Sequence, residues 1–299
     1  MKRFALASLL ASVATLSAAP AGAAVLTAVG EVGGVDSIFD FNTATGNVDT
    51  VIDVSSLITS GNLGFGNVNS PNSIGHDRAN KQVYFSSFGG ADADLFRVDY
   101  STTPQLESLG KINGDAASGA VYNGNFFYVE QNNSAGSPSG SSLYRIALSD
   151  LNDGNVDSGD LVEEFNLGSA QSFGDIAFDE QGRLYGSSRD LGFYEITGDV
   201  TDGDASDNGT TVIDGSAQRR QLAFSGGTLF GVDTASGMIY DIDVATGAES
   251  TSGLGQLGSR FRANDIAPGD IPVPATLGLL GAGLMGLGFF ARRRRVVVA

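Results

Sequence analysis

The chain has no cysteine and no tryptophan, one histidine, and seven prolines spread over 299 residues. Without cysteine there is no disulfide bracing and no thiol chemistry, so a core must hold by burial alone. Basic residues are also scarce. Lys2, Arg3, Arg292, Arg293, Arg294 and Arg295 are six of only 17, which leaves 11 basic residues against 34 acids in between, a formal −23. A body with that charge repels nucleic acid and anionic membranes and favours cations or neutral sugars.

Against these absences stand 42 glycines, many Asp, Asn, Ser and Thr residues, and a hydrophobic fraction of 41%. That balance suits an extracytoplasmic β-rich chain able to bury a core. The length allows two average domains, but single all-β domains reach this size, and one large domain is expected.

Both ends depart from the acidic body. The first 25 residues, "MKRFALASLLASVATLSAAPAGAAV", place two basic residues before an apolar stretch and a small-residue A-x-A run, the order of a secretory signal peptide cut after Ala23 or Ala24. Residues 1–24 are therefore read as the export signal. At the other end Pro272 and Pro274 precede 17 uncharged residues, Ala275 to Ala291. As a helix these span roughly 25 Å, the short end of a bilayer crossing. The four arginines that follow hold their side in the cytoplasm and the body outside. Gly278, Ala282 and Gly286 recur at every fourth position, a small-residue face open to a second helix.

The order of a Pro-containing signature at Pro272, Val273, Pro274 and Ala275, a hydrophobic helix and a terminal arginine cluster resembles the PEP-CTERM class of bacterial sorting tails, in its VPxPA variant. The resemblance covers residues 271–299. It implies a chain exported by the general secretory route, recognised by an exosortase and cut near the proline motif, in a family associated with surface layers, exopolysaccharide and biofilm matrix. By this resemblance the chain is the substrate of that membrane transpeptidase, with a destination in the periplasm, at the outer surface or outside the cell. Val273 at the motif's centre, where Glu is commoner, and the extra "VVVA" after the arginines depart from the pattern and leave the processing bond open.

Between the ends, residues 25–270, one apolar phrase recurs: "SIGHD" at Ser73, "GAVYN" at Gly119, "DIAFD" at Asp175, "QLAFS" at Gln221 and "DIAPG" at Asp265. Their second residues are 46, 56, 46 and 44 positions apart. The first four phrases are each followed by a turn, a second apolar strand and a third, with fainter fourth strands. Four short strands at this period describe β-propeller blades. The last copy stops after one strand, and its missing partners stand at the other end, from Val25, Ser37 and Val48. This predicts five blades with a closing blade split between the termini; six blades is the rival count. The phrase "DIAFDEQGRLYGSS" resembles strand pairs of lactonase-like propellers.

Two hairpins, "DLNDGNVDSGDL" from Asp150 and "DVTDGDASDNG" from Asp199, share one acidic pattern. In the first, Asp150, Asn152, Asp153, Asp157 and Asp160 offer hard oxygens around a glycine turn, as calcium requires, and the loop looks like a dockerin-type loop one residue short. The alternative is a solvated turn built from residues that favour turns. His76 aligns with Tyr122, Phe178 and Phe224, which gives it a packing role. Asp175 and Asp265 hold equal places in two blades and could face a central channel beside Ser73, Gly119 and Gln221. With Glu130 they are the available carboxylates for glycoside hydrolysis. Two functions follow: a non-catalytic surface protein whose propeller binds matrix polysaccharide or a partner, or an exported metal-dependent hydrolase of lactonase-like or glycosidase-like type.

Overall fold

Three hairpins show how this sequence makes tight turns. In "NTATG", "DTASG" and "DVATG" an Asn or Asp leads and a glycine follows four residues later. The leading side chain caps the turn: Asn42 Oδ1 accepts from the Ala44 amide (3.0 Å), Asp233 Oδ1 from Ala235 (2.8 Å) and Asp243 Oδ1 from Ala245 (2.8 Å). Gly46, Gly237 and Gly247 then donate to the leading carbonyl at 2.8, 2.7 and 2.7 Å. They do so at φ of 69°, 71° and 73°, which only glycine adopts without strain.

The computed structural model describes residues 23–61, 68, 70–88, 92–131, 141–167, 174–216 and 220–269. Residues 1–22 of the expected export signal (1–24) and the whole of the expected sorting tail (271–299) lie outside the described residues. The described residues open with β1 (Val25–Val32), β2 (Val35–Asn42), β3 (Val48–Asp53) and α1 (Val54–Gly61). A first blade follows in β4 (Asn72–Asp77), β5 (Gln82–Ser86), β6 (Asp92–Asp99) and β7 (Gln105–Asn113). The second is β8 (Asp115–Tyr122), β9 (Asn125–Gln131), β10 (Ser142–Ala147) and β11 (Val162–Asn166). The third is β12 (Gly174–Phe178), β13 (Leu184–Ser188), β14 (Gly192–Thr197) and β15 (Gly209–Asp214). The fourth is β16 (Gln221–Ser225), β17 (Thr228–Val232), β18 (Met238–Ile242) and β19 (Gly255–Gln256), and β20 (Phe261–Pro268) ends the body.

The strands form five four-stranded antiparallel sheets, and the last is ordered β20-β1-β2-β3. It is the split closing blade that the sequence predicts. Leu26 pairs with Pro268 and Val29 with Asp265, so the two ends of the body meet in one sheet. The ring has five blades, and the six-blade count falls away. Its inner strands β4, β8, β12, β16 and β20 each touch the next around a circle that returns to β4. Closure leaves no inner edge open to pair with another chain.

The core is divided accordingly. Five apolar clusters lie one at each seam between blades, such as Tyr84, Leu95 and Leu109 against Phe126, Tyr128 and Ile146 between the first and second. Burying each large side chain contributes about 1.5–3 kcal/mol, and each blade contributes two such faces. The helix α1 is an element the repeat does not predict. Asp53 starts it by accepting from the Ser56 amide (2.8 Å) and hydroxyl (2.7 Å). Val54 and Ile58 bury its inner face against the seam of the closing and first blades.

Candidate functional site

The five recurring phrases place Ser73, Gly119, Asp175, Gln221 and Asp265 at one level of the five inner strands. This level is the narrow waist of the channel. Asp175 and Asp265 are buried there and joined by a carboxyl–carboxylate hydrogen bond. Backbone amides donate to every oxygen of both groups. Asp175 Oδ1 accepts from Ile176 (2.6 Å) and Oδ2 from Leu222 (2.5 Å). Asp265 Oδ1 accepts from Ile266 (2.8 Å) and Oδ2 from Ile74 (2.8 Å), and the Gly119 amide also donates to this carboxylate. Ile74, Gly119, Ile176, Leu222 and Ile266 belong to five different blades, so two side chains stitch every inner strand to the centre.

Burial pushes both carboxyls up, Asp265 to about 7. Asp175 is raised well above the usual range, first by burial and then by the facing Asp265 charge. The pair therefore holds at least one proton between its members, as two like charges this close in a dry site cannot both ionise. The close approach also explains Gly119. A Cβ there would lie 2.5 Å from the Ser73 carbonyl oxygen, and Ser73 itself bends at φ 56° to make room.

The waist separates two vestibules. The lower, of about 260 Å³, opens where the inner strands end and is lined by Tyr122, Phe178, Phe224 and Pro268, with Arg78 and Glu180 outside them. Tyr122 stacks on Phe178 at 4.5 Å. The upper, of about 350 Å³, opens where the strands begin and is lined by Asn72, Phe88, Gln221, Arg262 and Asn264. Sequence reasoning picked out Gln221 at the waist but not Asn72, which precedes the recurring phrase by one residue.

His76 does more than pack. Its Nδ1–H donates to the Pro268 carbonyl (2.8 Å), with Thr27 Oγ1 at 3.3 Å, so Nε2 accepts from the Tyr100 hydroxyl. It pins the first blade to the closing one. Glu130 stands apart from the waist: on β9 it bonds the Tyr144 hydroxyl and faces Glu163, and burial raises its pKa. It does not join Asp175 and Asp265 as a third carboxylate.

The acidic hairpins sit at the outer side of the wheel. In the first, Asp153 Oδ1 accepts from the Asn155 amide (3.0 Å), Asp157 Oδ1 from Asn155 Nδ2 (2.9 Å) and Asp160 Oδ2 from the Asp157 amide (2.7 Å). Asp150 takes the Ser149 hydroxyl at 3.1 Å, and Asn152 is exposed within the 3-10 turn Asp150–Asp153. Among the described residues no three His, Cys, Asp or Glu side chains are grouped to hold a metal ion. The hairpin docks on the preceding blade: the Val156 amide donates to the Leu109 carbonyl (2.6 Å), and Arg97, ion-paired with Glu107, donates to the Leu151 carbonyl (3.3 Å). The second hairpin repeats the contact one blade on. There the Gly203 amide donates to Glu164 Oε2 (2.9 Å) and Asn208 Nδ2 to the Glu164 carbonyl (3.0 Å), while Glu164 pairs with Arg145.

The sheet order, the seam and the waist define a five-bladed β-propeller. The chain carries, directly after that body, a PEP-CTERM protein-sorting motif matched over residues 270–295, which include Val273, Pro274, Ala275 and Arg292, Arg293, Arg294 and Arg295. Such a motif marks a substrate of an exosortase and directs export to the cell envelope or surface. No helix among the described residues is long and apolar enough to cross a membrane, and the predicted C-terminal span lies outside them. No curated protein matches the sequence. Among solved structures the chain is similar to one in a nidogen/laminin complex, at 10% identity and TM-score 0.46, covering 82% of this chain and 98% of that one. It is also similar to a protein from Lactobacillus plantarum, at 14% and 0.42, covering 77% and 66%. TolB from Acinetobacter baumannii matches at 10% and 0.42, covering 82% and 66%.

Proposed function

We propose that the chain is a three-part export product: a signal peptide over residues 1–24, a propeller over 25–270 that binds matrix polysaccharide without catalysis, and a tail over 271–299 that an exosortase removes. The tail anchors the chain in the cytoplasmic membrane until processing and leaves the propeller at the outer surface or beyond it. One observation carries the non-catalytic reading. Every carboxylate oxygen at the waist is engaged by a backbone amide, which suits a pin between blades better than a metal ligand or a nucleophile.

Mass spectrometry of the mature C-terminus tests the sorting half. Surface-released protein is expected to end near Pro274, and an intact Arg292 to Arg295 tail on that material overturns it. A screen of the protein against lactone and glycoside substrates tests the other half. Turnover that disappears in Asp175→Asn would make the pair catalytic and restore the hydrolase.

A further inference from the structure

The two vestibules lie on opposite sides of the Asp175–Asp265 waist, and the chain leaves the body at the lower one. Pro268, the last residue of β20, lines its wall, and the Gly269 amide donates to the Val25 carbonyl (3.1 Å), which fixes the exit point at the rim. Asp270 follows, and then "IPVP" at residues 271–274. Pro268, Gly269 and Asp270 are turn-forming in sequence, so the chain can reverse there. Residue 271 comes three positions after the wall residue Pro268, a reach of about 11 Å at full extension. The upper vestibule is on the far side of the waist.

The walls suit such a segment. Tyr122 stacks on Phe178 (4.5 Å), Phe224 stands on the next inner strand, and Ala120, Ile266 and Pro268 extend the apolar lining. Tyr122 and Pro268 are half-buried, and Phe178 and Phe224 keep 7% and 8% of their surface open. The charged residues of the lining, Arg78, Asp179 and Glu180, belong to the turns after β4 and β12, and residues 271–274 bring no charge to meet them. Proline-rich segments favour an extended helix and dock on aromatic-lined grooves. The ordering cost is low, because each proline fixes its own φ and biases the residue before it toward the extended form. Pro272 and Pro274 do this for Ile271 and Val273.

Size separates the two parts of the tail. The vestibule holds about 260 Å³. One turn of an α-helix about 10 Å across and 5.4 Å high fills roughly 400 Å³, so the apolar stretch over residues 275–291 does not enter as a helix, whereas a short extended segment does. A segment tethered at the rim also meets the walls at an effective concentration of about millimolar or more, which a free partner of the same chemistry does not match.

We propose that the lower vestibule is the receptor for this chain's own proline motif, with residues 271–274 seated in cis against Tyr122, Phe178 and Phe224. Docked there, the motif is held against the body and becomes available to a membrane enzyme only when it leaves the aromatic walls. That regulatory consequence rests on the sorting reading, whereas the docking does not.

The test exploits the absence of cysteine, which lets two introduced thiols report alone. Full-length chain in mild detergent carries Val273→Cys with, in turn, Ser225→Cys in the vestibule wall, Thr45→Cys in the exposed turn after β2, or Thr234→Cys at the upper vestibule. A disulfide requires Cα atoms within about 7 Å. Under a mild oxidant the 273–225 bond is expected to form at least about tenfold faster than the 273–45 bond, because docking concentrates one thiol around the other. The 273–234 bond is not expected to form. Pro272→Ser with Pro274→Ser leaves the body untouched and is expected to bring the 273–225 rate down to that of 273–45. Equal rates before those substitutions overturn the docking, and a preference that survives them overturns proline recognition by the aromatic walls. Disulfides that join two chains on a non-reducing gel, in place of bonds within one, assign the vestibule to a second copy and overturn the cis assignment. The assay contains no exosortase, so its failure stands apart from failure of the sorting reading, which the mature C-terminus tests.

Discussion

Asp175 and Asp265 ionise near 3.8 when free, and in the folded protein Asp265 keeps a proton up to about 7 while Asp175 is also held well above its free value. Between those limits the native state binds more protons than the unfolded state. The pair's stabilisation is therefore complete below about pH 4 and is lost as pH rises through about 7. Urea denaturation at intervals from pH 5 to 9 should show stability falling across that range, and the double variant Asp175→Asn with Asp265→Asn should remove that component of the slope. Asp265→Ala at pH 6 leaves the Ile74, Gly119 and Ile266 amides without acceptors and should cost on the order of 3 kcal/mol by the same measurement. Gly119→Ala should cost about 1–3 kcal/mol through its clash with Ser73. The sequence made the two aspartates legible as equals, because the recurring phrase aligns them. It could not disclose their shared proton, which depends on amides from three other blades, nor His76's role as a pin, which depends on Pro268 nearly two hundred residues away.

At the scale of elements, the inner strands were easy to read and the outer ones were not. Inner strands such as β12 are buried throughout and appear as unbroken apolar phrases. β15 is half exposed, with Val212 facing outward, and its pattern dissolves into that of a loop. The helix α1 carried a readable signal, Asp53 three residues before Ser56, but a four-strand repeat leaves no slot for it. The acidic hairpins were legible as turns and illegible as clamps, because the clamp lies in the neighbouring blade. Glu164→Ala strands the partly buried Arg145 and frees the Gly203 amide, so it should destabilise the protein by about 3 kcal/mol. Limited proteolysis should then cut within residues 199–208 first. The clamp geometry also predicts that millimolar calcium leaves the melting temperature unchanged. A rise that Asp150→Ala with Asp153→Ala abolishes would assign the first hairpin to the ion instead.

For the whole molecule, the decisive contact is the pairing of β1 with β20. A chain ending at Gly269 should unfold cooperatively as a monomer, while one ending at Arg260 should expose the partners of Ala263 and Ile266, among them Leu26 and Phe39, and elute as aggregates in size-exclusion chromatography. The five-fold plan was visible in sequence because its period survives in the apolar phrases, and the split seam was visible because one phrase lacked followers.

That seam also sets a clock. The strand that completes the sheet is the last part of the body to be synthesised, and the sorting motif begins two residues after it. Until that strand is made the closing sheet lacks its inner member, so the ring cannot shut before the whole body has been synthesised.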